Sequence, residues 1–146
     1  MSKESFSFNK EIDLPKDLKI GIAKAKWNSS LVAKIFNDAV SHLKNMGVDD
    51  LATIEVPGSW ELVHASNSLI QECDGVLAIG VIIKGETIHY ELISKAVAAG
   101  LVEVIVNSKK PIALGIISAE TKDQAIARSS SKGKEFAQSL LESLAR

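Results

Sequence analysis

Only one cysteine, Cys73, occurs in 146 residues, which excludes an internal disulfide and any thiolate metal cluster. Lying beside Asp74 just ahead of an apolar strand, it reads as a small inert thiol rather than a nucleophile. Charge of neither sign dominates. Seventeen Lys and Arg against eighteen Asp and Glu leave a net charge of −1, so neither nucleic acid nor an anionic membrane is expected as a partner. No apolar run approaches the roughly 18 residues of a membrane span, and Met1 to Ser5 lacks an apolar signal region. The expectation is a soluble, intracellular, cytoplasmic protein, in which the sequon Asn28-Ser29-Ser30 carries no sugar.

Missing motifs narrow the chemistry further. No G-x-G-x-x-G follows a strand, and Lys84-Gly85-Glu86-Thr87 lacks the glycine spacing of a phosphate-binding P-loop. There is no G-x-S-x-G elbow. The histidines at 42, 64 and 89 form no H-x-x-x-H pair. Glu61 and His64 have the spacing of a di-iron helix, but that site needs a second copy and further carboxylates, so chance explains it better. His42 reads as a solvated residue on a surface helix. The expectation is therefore no cofactor and no metal.

What is present is a hydrophobic fraction of 46% and a mean hydropathy of +0.13, enough for one well-filled core. Residues 1–17 read as an N-terminal arm that is either disordered or, with Phe6 and Phe8 alternating, an edge strand lent to a neighbouring subunit. Residues 18–146 read as a single domain. Strands are expected at Leu18–Ala25, Leu51–Val56, Gly75–Ile83 and Ile112–Ser118. Helices follow each of them, beginning near Leu31, Ser59, Ile88 and Lys122, with a last one over 132–145. Asn28 or Ser29 is expected to cap the first helix. Strand–helix alternation four times over implies an α/β fold: a three-layer α/β/α sandwich with a flavodoxin-like four-stranded parallel sheet.

Ligands of such sheets bind at the carboxyl ends of the strands. Strand one ends in Trp27 and Asn28, and strand two in Gly58, Ser59, Trp60 and Glu61. Strand three ends in Lys84 to His89, and strand four in Ser118 to Thr121, with Arg128 and Lys132 beyond. That edge holds an aromatic plate, hydrogen-bonding groups, an amide-rich turn suited to an anion, an imidazole and two cations. Singly, each has an ordinary structural reading: Trp27 as a helix staple, Glu61 as a dipole partner, Arg128 and Lys132 as solvated charges. Their convergence on one edge argues for a site.

Five blocks in order resemble lumazine synthase: Trp27-Asn28; Val56 to Glu61; Gly80 to His89; Pro111 to Ile116; and Asp123 to Arg128 followed by Lys132-Gly133. The resemblance implies cofactor-free condensation of 5-amino-6-(ribitylamino)uracil with 3,4-dihydroxy-2-butanone 4-phosphate, giving 6,7-dimethyl-8-ribityllumazine for riboflavin synthesis. By the same resemblance, Trp27 would stack on the pyrimidine and Asn28 would bond its edge. Ser59 and Glu61 would hold the ribityl chain, with Trp60 between them also binding substrate, and main chain at Ile82 and Ile83 would take the uracil. Glu86 and Thr87 would give amide donors to the phosphate and Arg128 would pair with it, while His89 would be the general acid/base. Leu114, Arg128 and Lys132 would come from a neighbouring subunit, in pentamers or larger shells. Lys84 stands where an Arg is frequent and Leu114 where a Phe is frequent, and the Arg128–Lys132 segment is short. Two other readings belong beside this one: a catalytically weak flavin- or lumazine-binding protein, and an archaeal-type riboflavin synthase acting on lumazine alone.

Overall fold

A computed structural model describes residues 11–86 and 88–145. The elements run β1 (Lys19–Ala25), α1 (Ser29–Asn45), β2 (Asp50–Val56), a 3-10 turn (Ser59–Glu61), α2 (Leu62–Ile70) and β3 (Gly75–Ile83). They continue with α3 (Tyr90–Ser108), β4 (Ile112–Ala119), α4 (Lys122–Ser129) and α5 (Lys132–Leu144). All the strand pairings are parallel, in the order β2-β1-β3-β4. The expected three-layer sandwich is what the chain forms.

Strand alternation divides the core in two. Ile20, Ile22, Leu77, Ile79, Val81 and Ile83 face α1 and α5, whereas Ala23, Ala25, Val76 and Ala78 face α2 and α3. The second face is built from small residues because the Ser59–Glu61 turn and α2 come in close. A Cβ on Gly80 would stand 2.5 Å from the Ser59 hydroxyl and 3.0 Å from Leu62. Only glycine leaves room for that turn to rest on β3. All nine residues of β3 are buried, as its unbroken apolar run predicts.

On the other face α5 crosses α1 so tightly that a side chain on Gly133 would meet the Ile35 carbonyl. His42 is covered by this crossing. It is 6% exposed, and its Nε2 lies 2.6 Å from the Gln138 Oε1, so the expectation of a solvated histidine is corrected. Ile35, Ala39 and His42 follow the i, i+4, i+7 spacing, so the apolar stripe of α1 runs through this residue.

Two boundaries also differ from expectation. The segment after β2 begins as a 3-10 turn rather than a full helix, and α3 begins at Tyr90 rather than near Ile88. Residues between β3 and α3 are used in a turn, held by Lys84 N–H donating to the Ala119 carbonyl at 2.9 Å and Glu86 N–H to the Ile83 carbonyl at 3.1 Å. His89 is thus the N-cap residue of α3 and not part of its first turn. Of the N-terminal arm, Ile12 and Leu14 are half-buried against the α1-side core. The alternation of Phe6 and Phe8 lies outside the described residues.

Candidate active site

The sheet order makes a switch point between β1 and β3: β1 leads to α1 on one face, β3 to α3 on the other. The loops that follow diverge, leaving a crevice at the carboxyl edge. Asn28 holds the two sides together. It sits in the left-handed region at φ 61, as α1's N-cap residue, without a side-chain cap bond. Its Nδ2 instead donates 2.9 Å across the crevice to the Val81 carbonyl. The expected capping role is therefore replaced by a bridge between strands. Asparagine suits the position because its short polar side chain tolerates left-handed backbone.

Beside this bridge lies a cleft of about 340 Å³. Its floor is Val81, Ile82 and Ile83 from β3, and Gly58, Ser59 and Glu61 form one wall. Trp27 and Trp60 stand at its mouth, 61% and 60% exposed. Indoles so exposed offer ring faces to a planar ligand. The Trp27 backbone continues the β1–β2 ladder, its N–H donating to the Pro57 carbonyl at 3.1 Å. Its indole Nε1 donates to the Glu86 Oε2 at 3.1 Å. The cleft also takes in Ile93, which sequence reasoning placed in the apolar run of α3 and so read as core.

Glu86 is a shared wall. Beyond it an open depression of about 700 Å³ is lined by Lys84, Gly85, Ile88, His89 and Glu91 among others. The structure therefore sets His89 next to the aromatic cleft rather than inside it. Thr87 lies outside the described residues.

Four expected site residues line neither cavity: Asn28, whose amide is spent on the Val81 carbonyl, and three others. Leu114 lies on the edge strand β4 and is 50% exposed. Arg128 donates from Nη1 to the Ser118 carbonyl at 2.7 Å, which pins it at the end of β4. Lys132 is 2.9 Å from the Glu135 carboxylate at the start of α5. Within one chain, the aromatic cleft and these two cations are separate.

A second groove of about 530 Å³ runs between α2 and α3, past His64, Asn67, Glu103 and Asn107. It shares Trp60 with the cleft but follows the helices, so the sheet's carboxyl edge supplies none of its floor. Among the described residues no group of three or more His, Cys, Asp and Glu could hold a metal ion, and no helix is long and apolar enough to cross a membrane. Burial raises the Cys73 thiol above its usual value, an effect that Lys19 opposes and Glu72, Asp74 and Asp50 reinforce.

Comparison with known proteins agrees with this geometry. The family model described as 6,7-dimethyl-8-ribityllumazine synthase matches residues 17–146. Proteins of that name from Bdellovibrio bacteriovorus and Cutibacterium acnes are 34% and 35% identical, over 86% and 87% of this chain and 73% and 80% of their own lengths. One from Aquifex aeolicus is 36% identical over 79% of this chain and 77% of its own. With its Trp27–Asn28 crevice and its Gly80–His89 strand and turn, the chain belongs to the 6,7-dimethyl-8-ribityllumazine synthase family.

Proposed function

We infer that this chain is a lumazine synthase, joining 5-amino-6-(ribitylamino)uracil to 3,4-dihydroxy-2-butanone 4-phosphate with loss of phosphate and water. The observation that carries the reading is the cleft at the switch point, where exposed indole faces stand over a β-strand floor with the Ser59–Glu61 turn alongside. A planar pyrimidine can stack on such a ring face. The Glu61 carboxylate and Ser59 hydroxyl suit a polyol, which presents many O–H donors and acceptors. Peptide groups at Ile82 and Ile83 suit the donor–acceptor edge of a uracil, and Asn28 fixes the strand beside them.

We assign the phosphorylated ketone to the depression lined by Lys84, Gly85 and His89, against the turn that carries Glu86. Its carbonyl then meets the pyrimidine's 5-amino group across Glu86. Imine formation, phosphate elimination, ring closure and dehydration all move protons. His89, at the border of the depression, is the group that would carry them. No step in this sequence transfers electrons to an external acceptor, so no cofactor is called for.

We further propose that the site is completed by a second copy. Arg128, Leu114 and Lys132 line neither cavity of their own chain, and an anion site where Lys84 is the one lysine or arginine among the described lining residues gains most from a neighbour's guanidinium. Apolar surface supports self-association: Leu92, Val102 and Val106 on α3 and Leu114 on β4 are 62%, 57%, 67% and 50% exposed. A ring of pentamer type, with residues 1–17 as an arm outside the 18–146 domain, is the arrangement proposed. The same reading carries a cytoplasmic location. Its test is to mix the purified protein with both substrates and follow lumazine absorbance above the uncatalysed rate. Product formation no faster than in buffer would overturn it.

A further inference from the structure

The Trp27–Glu86 hydrogen bond joins the two loops that diverge at the switch point. Its ends are unequally anchored. Trp27 belongs to the β1–β2 ladder through its own N–H and that of Lys26, bonded to the Pro57 and Val56 carbonyls. Among the described residues, Glu86 belongs to a turn in which Lys84 and Glu86 each donate one backbone bond. A side-chain bond between a firm and a less firm element constrains the second far more than the first.

We propose that Trp27 is a positioning residue: its indole N–H tethers the Glu86 carboxylate and so sets the turn at 84–86, beside which the phosphorylated ketone is seated. The ligand in this statement rests on the functional reading above, whereas the tether itself does not. The electrostatics favour the same conclusion. Glu86 lines both cavities, and a carboxylate left to swing toward a phosphate repels it. Bonded at 3.1 Å to the indole, that carboxylate is drawn to the pyrimidine side and accepts a hydrogen bond there. Trp27 thus has two separable actions, a ring face for stacking and an N–H for tethering. A phenylalanine at this position would keep the first and lose the second.

The experiment uses the full chain as wild type, Trp27→Phe, Glu86→Ala and the double variant. Amide exchange of the 84–89 peptide is measured without ligand, and KM is measured for each substrate. In Trp27→Phe, exchange of that peptide is expected to rise about three- to tenfold, the range for losing one exposed charge-assisted bond. KM for the phosphorylated ketone should rise by a similar factor, and by more than the KM for the pyrimidine. In the Glu86→Ala background, Trp27→Phe should have no further effect on exchange. Unchanged exchange in Trp27→Phe overturns the tether, as does an equal effect in the Glu86→Ala background. A pyrimidine KM that rises as much as the ketone's overturns the link to the seat. Should the wild type show no turnover, the functional reading falls, and the exchange cycle still decides whether Trp27 holds the turn.

Discussion

The side-chain amide of Asn28 reaches the Val81 carbonyl at 2.9 Å, joining residues 53 positions apart across the crevice between β1 and β3. Two demands meet at Asn28: left-handed backbone at φ 61 and a donor aimed at β3. Substitutions separate them. Asn28→Gly keeps the backbone freedom and loses the bond, which should cost about 0.5–1.5 kcal/mol. Asn28→Ala loses both and should cost about 1 kcal/mol more. Urea melts of the three proteins check the order, and Asn28→Ala no worse than Asn28→Gly would contradict it.

Gly80→Ala places a methyl 2.5 Å from the Ser59 hydroxyl and 3.0 Å from Leu62. The Ser59–Glu61 turn must then lift off β3, at a cost of about 1–3 kcal/mol. Because that turn is a wall of the cleft, pyrimidine affinity should fall along with the melting temperature. Calorimetry of pyrimidine binding, set beside thermal unfolding, reads both effects.

His89→Ala should lower the catalysed rate by about 10²–10⁴-fold, the span of a general acid–base group. Arg128→Ala should act chiefly on the phosphorylated substrate. The pair also tests whether the site is shared. When the two inactive variants are co-assembled, some sites receive an intact His89 from one copy and an intact Arg128 from the next. Activity should return to roughly a quarter of wild type for random mixing around a heterologous ring. No recovery would mean that both residues serve one chain's own site, or that neither is needed.

Cys73 is buried and its thiol titrates above the usual value, chiefly through desolvation. The fold favours the protonated form. That contribution to stability is complete below the thiol's ordinary pKa and is lost as pH rises through the raised one. The urea midpoint should therefore fall more between about pH 8.5 and 10.5 in the wild type than in Cys73→Ala, a window that runs upward from just below the ordinary thiol value of 9.0. Iodoacetamide should label Cys73 far more slowly in the native protein than in urea. Equal labelling rates would show the thiol to be open.

The four strands and the covering helices were legible because each apolar run has one dominant periodicity and ends in a marked stop. Gly75–Ile83 is apolar throughout and is buried throughout. Convergence of Trp27, Ser59, Trp60, Glu61 and Glu86 on one cleft was also legible, since each follows a strand of a parallel sheet. Contacts that depend on distant side chains were not. Nothing local to Asn28 distinguishes an amide that caps its own helix from one that reaches β3. His42 looked solvated because an imidazole on a helix was read by residue type rather than by its place in the α1 stripe, and the close crossing at Gly133 brings Gln138 over it. The late start of α3 follows from backbone bonds in the turn at Lys84 and Glu86, which residue type does not encode.

β3 contributes the cleft floor while both of its faces are occupied by the two halves of the core. Altering the floor to admit a different heterocycle would therefore carry a folding penalty, whereas Trp27 and Trp60 at the mouth can be exchanged with little effect on the interior. Redesign of ligand choice in this protein should begin at the rim.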